Sequence, residues 1–388
     1  MLGQFLSGRR IHITGSIPEQ TELASGEEVD KARAFVASLV RELVRQGANF
    51  VIPVDAEKFR SSDNRPICFD WLVWNEVIKN LHLRPPGAPG PLIIAVKHHK
   101  NEEQIPEEYI EQWDEYRGTS HIRIESAAHW NMASKRMEIQ SRSGDVLITI
   151  GGSEGGLFLS NLYHDAGKPV IPLNFNIGSN NTGSRKIFEY ALASSHSERL
   201  FKTEDDRSSH DWINLLDFPN RKSPQERTET VIQLLKNLTP PTAFFVCLMN
   251  REHEDYIAVK NYFDCVITPV MEDVLGYRMV IVDGSQGYEH ANVNQEVFER
   301  LHRSRVVIAD LTGSRPNCFL ELGYALGRGH TTMILAKEGT ELPFDIQTVS
   351  AHKWRDEGMV EDKKREFLAH WNSIKSRSTI VSMDPLMP

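Results

Sequence analysis

The chain is short of cysteine, of long apolar runs and of positive charge, and each shortage removes a class of protein. Cys68, Cys247, Cys265 and Cys318 are the only four thiols among 388 residues. None forms a CxxC pair, and Cys247 lies inside an apolar run, so neither a disulfide framework nor a zinc site is expected. Scattered thiols of this kind fit a reducing cytoplasm. No stretch approaches the ~20 consecutive apolar residues of a membrane span, and the opening MLGQFLSGRRIHITGS lacks the apolar centre of a signal peptide. A formal net charge of −9 argues against a protein that mainly grips nucleic acid, while leaving room for a local pocket that takes a nucleotide. The histidines are dispersed, and the adjacent His98 and His99 would point to opposite faces of a strand, so no metal is expected. Neither a Gly-x4-Gly-Lys-Ser/Thr phosphate loop nor a Ser/His/Asp elbow occurs. These absences leave a cytoplasmic protein with no membrane attachment and no required cofactor.

What is present is ordinary globular composition, 40% hydrophobic and 25% charged, in a chain too long for one core. Short apolar runs at 10–16, 50–54, 91–96, 145–150 and 169–173 alternate with helical periodicities. In the clearest helix, Ala32, Phe35, Val36, Leu39, Val40, Leu43 and Val44 recur every three or four residues before Gly47. A polar stretch from Phe201 leads through an amphipathic segment, 226–238, to Pro240-Pro241, which restricts the backbone before it. Four further apolar runs follow at 243–249, 280–283, 305–310 and 333–336. The pattern predicts an α/β protein of two Rossmann-like or flavodoxin-like domains, each a parallel sheet with helices on both faces. The expected boundaries are 1–200, a linker with an amphipathic helix at 201–241, and 242–388.

Two places carry chemistry. Between a strand and a helix runs Gly151-Gly152-Ser153-Glu154-Gly155-Gly156. Glycines there turn the backbone sharply and present N–H groups to a phosphate, with the helix start adding its positive end. A plain tight turn is the alternative. Gly15 and Ser16, ending the first strand, either add phosphate contacts or form an ordinary turn. In the second half, the strand 305–310 ends in Asp310, a short Thr-Gly-Ser-Arg-Pro turn follows, and a helix predicted over 320–328 carries Glu321 in its first turn. That is the carboxyl end of a parallel sheet, where a nucleotide's sugar meets the protein. Cleaving an N-glycosidic bond builds positive charge on C1′, which a carboxylate stabilises or attacks. Asp310 holds a ribose hydroxyl or orients Asn317, or else forms an Asx turn into Thr312-Gly313.

The stretch Asn317-Cys318-Phe319-Leu320-Glu321-Leu322-Gly323-Tyr324-Ala325-Leu326 resembles the nucleoside 2-deoxyribosyltransferase family and its TIR-like relatives. The resemblance implies that Glu321 is the catalytic carboxylate, that Asn317 binds the sugar, and that Gly323 lets the helix pack tightly on the sheet beside the substrate. It further implies that Asn250 and Arg251, after the first strand of this half, face the nucleotide, and that Asp283 lines the pocket. The acid partner of the transferases has only Gln295 or Glu296 as a weak match, which sets the classical transferase reaction in doubt. NAD or another nucleotide is the implied substrate.

Residues 10–175, most clearly Met132–Leu173, resemble the LOG/DprA superfamily (SLOG). There a basic pair and the loop glycines hold a nucleotide phosphate, here Lys135, Arg136 and the backbone of 151–156. On their own, Lys135 and Arg136 read equally well as solvent-facing helix charges. The family's catalytic Glu has no counterpart in Leu157, Phe158, Leu159 or Ser160, so the domain reads as a binder of a small nucleotide signal. The pairing resembles bacterial antiviral effectors and implies a homo-oligomer.

Overall fold

The computed structural model describes residues 6–98, 101–127, 132–218, 223–282, 293–347 and 350–375. The chain divides after Thr239 into two compact units. The first is built on strands β1 (Arg10–Ser16), β2 (Asn49–Val54), β3 (Ile93–His98), β4 (Ile122–Ala127), β5 (Val146–Gly151) and β6 (Val170–Leu173). Its helices are α1 (Gly26–Arg45), α2 (Asp70–Lys79), α3 (Glu107–Tyr116), α4 (Met132–Ser143), α5 (Glu154–Asp165), α6 (Gly183–Ala193), α7 (Ser209–Leu215) and α8 (Pro224–Asn237). All neighbouring strands pair in parallel, in the order β4-β3-β2-β1-β5-β6. The chain steps outward from β1 to β4, then returns to the other side of β1 for β5 and β6. That reversal leaves a crevice beyond the carboxyl ends of β1 and β5, the place where open α/β sheets bind ligands.

α1 shows how local sequence builds this unit. Ser25 caps its start by accepting from the Glu28 N–H at 3.3 Å, and the apolar stripe from Val29 to Val44 is fully buried. Gly47 ends it with φ +82°, and the Ala48 N–H bonds the Leu43 carbonyl at 3.0 Å, a Schellman closure. The stretch expected to link two domains belongs to this unit. Trp212 and Ile213 of α7 and Val231, Leu234 and Leu235 of α8 join the core that holds α1. The apolar face of α8 is covered, so the segment is no free linker.

The second unit contains β7 (Thr242–Val246), β8 (Arg278–Val280), β9 (Val306–Asp310), β10 (Thr331–Lys337) and β11 (Ala351–Trp354). With them come α9 (Tyr256–Tyr262), α10 (Val293–Arg303), α11 (Pro316–Gly327), α12 (Phe344–Gln347) and α13 (Val360–Ile374). This sheet is also parallel, in the flavodoxin-like order β11-β10-β9-β7-β8. Alternation along β7 sends Ala243 and Phe245 to one apolar cluster and Phe244 and Val246 to the other, so both faces are covered. Two parallel α/β sheets match the fold class expected from sequence. β4 and β11 were not among the expected strands. Among the described residues no helix is long and apolar enough to cross a membrane.

Candidate functional site

Each unit has a reversal point, and some of the residues singled out by sequence lie at these two places. In the second unit the crevice lies beyond β7 and β9. Its floor is set by Asp310, which ends β9 fully buried. One carboxylate oxygen accepts from the Thr312 N–H at 2.9 Å and the other from the Trp354 indole N–H at 2.8 Å. Burial raises this carboxyl above its ordinary range, against the pull of those donors. Asp310 therefore forms the Asx turn, and both its oxygens are taken by protein donors.

The turn carries the chain through Gly313, at φ +77°, where an added side chain would meet His253 Nε2 at 3.1 Å and Leu248 at 3.5 Å. The loops after β7 and β9 thus touch across the crevice. Sequence reasoning had not singled out His253, nor the Asp255–Lys337 ion pair at 2.7 Å that ties the β7 loop to the end of β10. The Asp255 N–H bonds His253 Nδ1 at 3.2 Å, an arrangement that places the ring proton on Nε2. A lone histidine in a loop carries no periodic signal, and only the meeting of two loops marks it.

α11 begins at Pro316, not at 320. Proline suits the first helical position because it has no N–H to leave unpaired and its φ is already helical. Glu321 consequently sits in the second turn, and no acidic residue occupies the first. It lies one turn beyond Cys318, on the flank of the buried stripe Cys318, Leu322 and Ala325. The Cys318 thiol donates to the Cys247 carbonyl just past β7 at 3.4 Å. Burial and then the Glu321 charge push this thiol up to about 12, so the carboxylate lies close to it. Glu321 itself is half-buried, and burial alone raises its carboxyl from 4.5 to about 7. A carboxyl so placed returns its desolvation cost when positive charge develops beside it.

The remaining residues of this half are less uniform. Asn317 is exposed in the first turn of α11. Asn250 and Arg251 are exposed in the β7 loop, where the Asn250 side chain accepts from the Glu252 N–H at 3.2 Å. Gly323 does not allow tight packing. It is exposed, nothing lies within 4 Å of where its side chain would be, and its position falls off the buried stripe. Glu296 is buried on α10 and paired with Arg300 of the same helix at 2.5 Å. Asp283 lies outside the described residues.

In the first unit, the crevice between β1 and β5 brings Gly15 and Ser16 against the glycine loop. Gly15 pairs with Ile150 and Ser16 with Gly151, and the Gly152 N–H bonds the Ser16 carbonyl at 2.8 Å. Gly151, at φ +57°, has Ile177 and the Ser16 carbonyl each 2.6 Å from any added Cβ. Gly183, at φ +56° on the start of α6, has the Gly151 carbonyl at 2.2 Å. Main chain packs on main chain here, and only glycine fits. Ser153 precedes α5 with no side-chain cap bond, and Gly155 and Gly156 fall in that helix's first turn, whose N–H groups have no partners within the helix. Those donors, with the helix dipole, favour an anion at this edge.

Neither basic residue of α4 is an idle cation. Lys135 pairs with Glu138 one turn on at 3.0 Å, and Arg136 pairs with Asp55, directly after β2. Among the described residues no cluster of His, Cys, Asp and Glu that could hold a metal occurs.

Residues 6–235, more than half of the chain, match the family model described as "ATP nucleosidase Cap17-like, N-terminal". None of the curated proteins matches the chain.

Proposed function

The chain belongs to the Cap17-like ATP nucleosidase family through its N-terminal region, and on that footing we propose that it is a nucleotide N-glycosidase whose chemistry is done by Glu321 in the second unit. The observation that carries the proposal is the placement of Glu321: half-buried, raised to about 7, and one turn from the thiol that touches the end of β7 at the reversal point. The bond broken is C1′–N. Its electron pair leaves with the base, and water supplies the hydroxyl at C1′; the proton that water gives up goes to adenine when ATP is cleaved and to solvent when nicotinamide leaves NAD as a neutral base. The ionised Glu321 stabilises C1′ as it becomes positive, or bonds to it until water displaces it.

ATP is the first substrate to try, because the family carries that name, and NAD is the second. In this reading the first unit binds a nucleotide signal at the 151–156 loop and controls both assembly and turnover, and the protein acts in defence against phage. The test is release of free base from ATP and from NAD by the full chain, alone and with other nucleotides present. Wild type should release base from one of them, and Glu321→Gln should be slowed by at least a hundredfold. Equal behaviour of the two proteins under every condition would remove the enzymatic reading. The defensive role predicts fewer plaques in bacteria expressing wild type, and unchanged plaque counts with Glu321→Gln.

A further inference from the structure

The polar groups at the edge of the first sheet extend past the glycine loop. β2 runs directly into Asp55-Ala56-Glu57. α2 opens with Asp70, two residues after Cys68, which bridges to Ser16 at the end of β1. Arg136 reaches the same place from α4 and pairs with Asp55. Four atoms are buried there with no hydrogen-bond partner: Asp70 Oδ1, Glu57 Oε2, Arg136 Nε and Arg33 Nη1 of α1. A buried polar atom left unbonded costs about 1–3 kcal/mol, so native proteins rarely gather several in one place. Burial also pushes both Asp70 and Glu57 up to about 7, against the pull of Arg136 on Asp70 and of Arg33 on Glu57.

The identity of these atoms restricts what would complete them. Two carboxyl oxygens and two guanidinium nitrogens suit hydroxyl groups, which donate to the first and accept from the second. A phosphate does not suit this end, because the three carboxylates of Asp55, Glu57 and Asp70 outnumber the guanidiniums of Arg33 and Arg136. The phosphate's place is the start of α5, beyond β5. β1 alone separates β2 from β5, so the two ends lie about two strand spacings, ~10 Å, apart.

We propose that Asp70, Glu57 and Arg136 form a ribose-diol pocket, completing a site whose phosphate end is the 151–156 loop. The proposal rests on the reading of the first unit as a nucleotide binder. It sets the polarity of the bound molecule, phosphate over α5 and sugar over β2, and it makes the site selective for ribonucleotides.

The test is calorimetric titration of the full chain with AMP, GMP, CMP and UMP, with their 2′,3′-dideoxy counterparts, and with inorganic phosphate. At least one ribonucleotide should bind wild type tenfold or more tighter than its dideoxy form. Asp70→Asn and Glu57→Gln should each reduce that ratio towards one while phosphate binding stays the same. The two variants are read independently, so a failure of one to fold leaves the other to decide. Equal binding of the ribo and dideoxy forms to wild type, or a ratio unchanged in both variants, overturns the pocket and leaves the nucleotide reading of the unit intact. No binding of any nucleotide or of phosphate to wild type overturns that reading, and the pocket with it.

Discussion

Glu321 keeps a proton through a pH range in which a glutamate in water has lost it, and this has two opposite consequences. Its carboxyl is raised from 4.5 to about 7 in the folded chain. The unfolded chain therefore releases the proton first, and wild type loses stability as pH rises from about 4.5 to about 7. Glutamine has no charge to desolvate. Glu321→Gln should match wild type below pH 4.5 and become more stable by about 2 kcal/mol above pH 7, after discounting for partial exposure. Denaturant melts at pH 4.5, 6 and 8 measure the difference, and a variant less stable at pH 8 contradicts the burial of this group. Activity runs the other way. If the ionised form does the chemistry, kcat/KM for base release climbs with pH and levels off above about 7. Asp310 shares burial with Glu321 but not its role, because the Thr312 and Trp354 donors already occupy both its oxygens. The sequence left Asp310 between a ligand contact and an Asx turn, since neither donor is visible without the fold.

The glycine loop is an element whose conformation was readable in advance and whose surroundings were not. Four glycines in six residues announce a backbone that side chains must avoid. That Gly183 from α6 closes on the same turn depends on strand order, which no local pattern contains. Gly183→Ala should cost about 2–3 kcal/mol, since it combines positive φ with main chain 2.2 Å away. Gly323→Ala meets open space in a helix and should stabilise the second unit by up to about 1 kcal/mol. Thermal melts of the two variants should therefore move in opposite directions. The elements missed by sequence have a common cause. β4 and β11 are edge strands, and β11 is short and mostly half-buried or exposed, so neither shows the continuous apolar run that marks β2 or β5. α11 starts four residues before the sequence predicts, because a Thr-Gly-Ser-Arg-Pro run resembles a turn while its proline is the first helical residue.

At the scale of the whole molecule, the chain contains two sheets with separate cores. The apolar cluster of the first runs from Leu6 to Leu238, and those of the second begin at Ala243. The two sets share no residue, so calorimetry should resolve two unfolding transitions. Leu39→Ala should lower only one of them and Trp371→Ala only the other, each by about 3 kcal/mol or more. A single transition shifted equally by both would contradict independent cores. The family match ends at 235, and Glu321 lies beyond it on α11 of the second unit. Alternating strands and helices were enough to foresee two parallel sheets. The flavodoxin-like reading of the second half already implies a reversal point at the strand that ends in Asp310, whereas which strand returns beside β1 in the first unit is decided by packing of helices on the two faces.

The meeting of Gly151, Gly152 and Gly183 has a practical consequence for anyone mapping this protein by mutation. A molecule entering the crevice between β1 and β5 meets main-chain amide groups, so trimming Ser153 or Glu154 to alanine removes almost nothing it would feel. Alanine at Gly151 disturbs the packing of the turn and so reports on folding, not on binding. Only added bulk can reveal it, and the informative substitutions at Ser153, Gly155 and Gly156 are enlargements such as valine or phenylalanine, read by loss of binding in a protein whose melting point is unchanged.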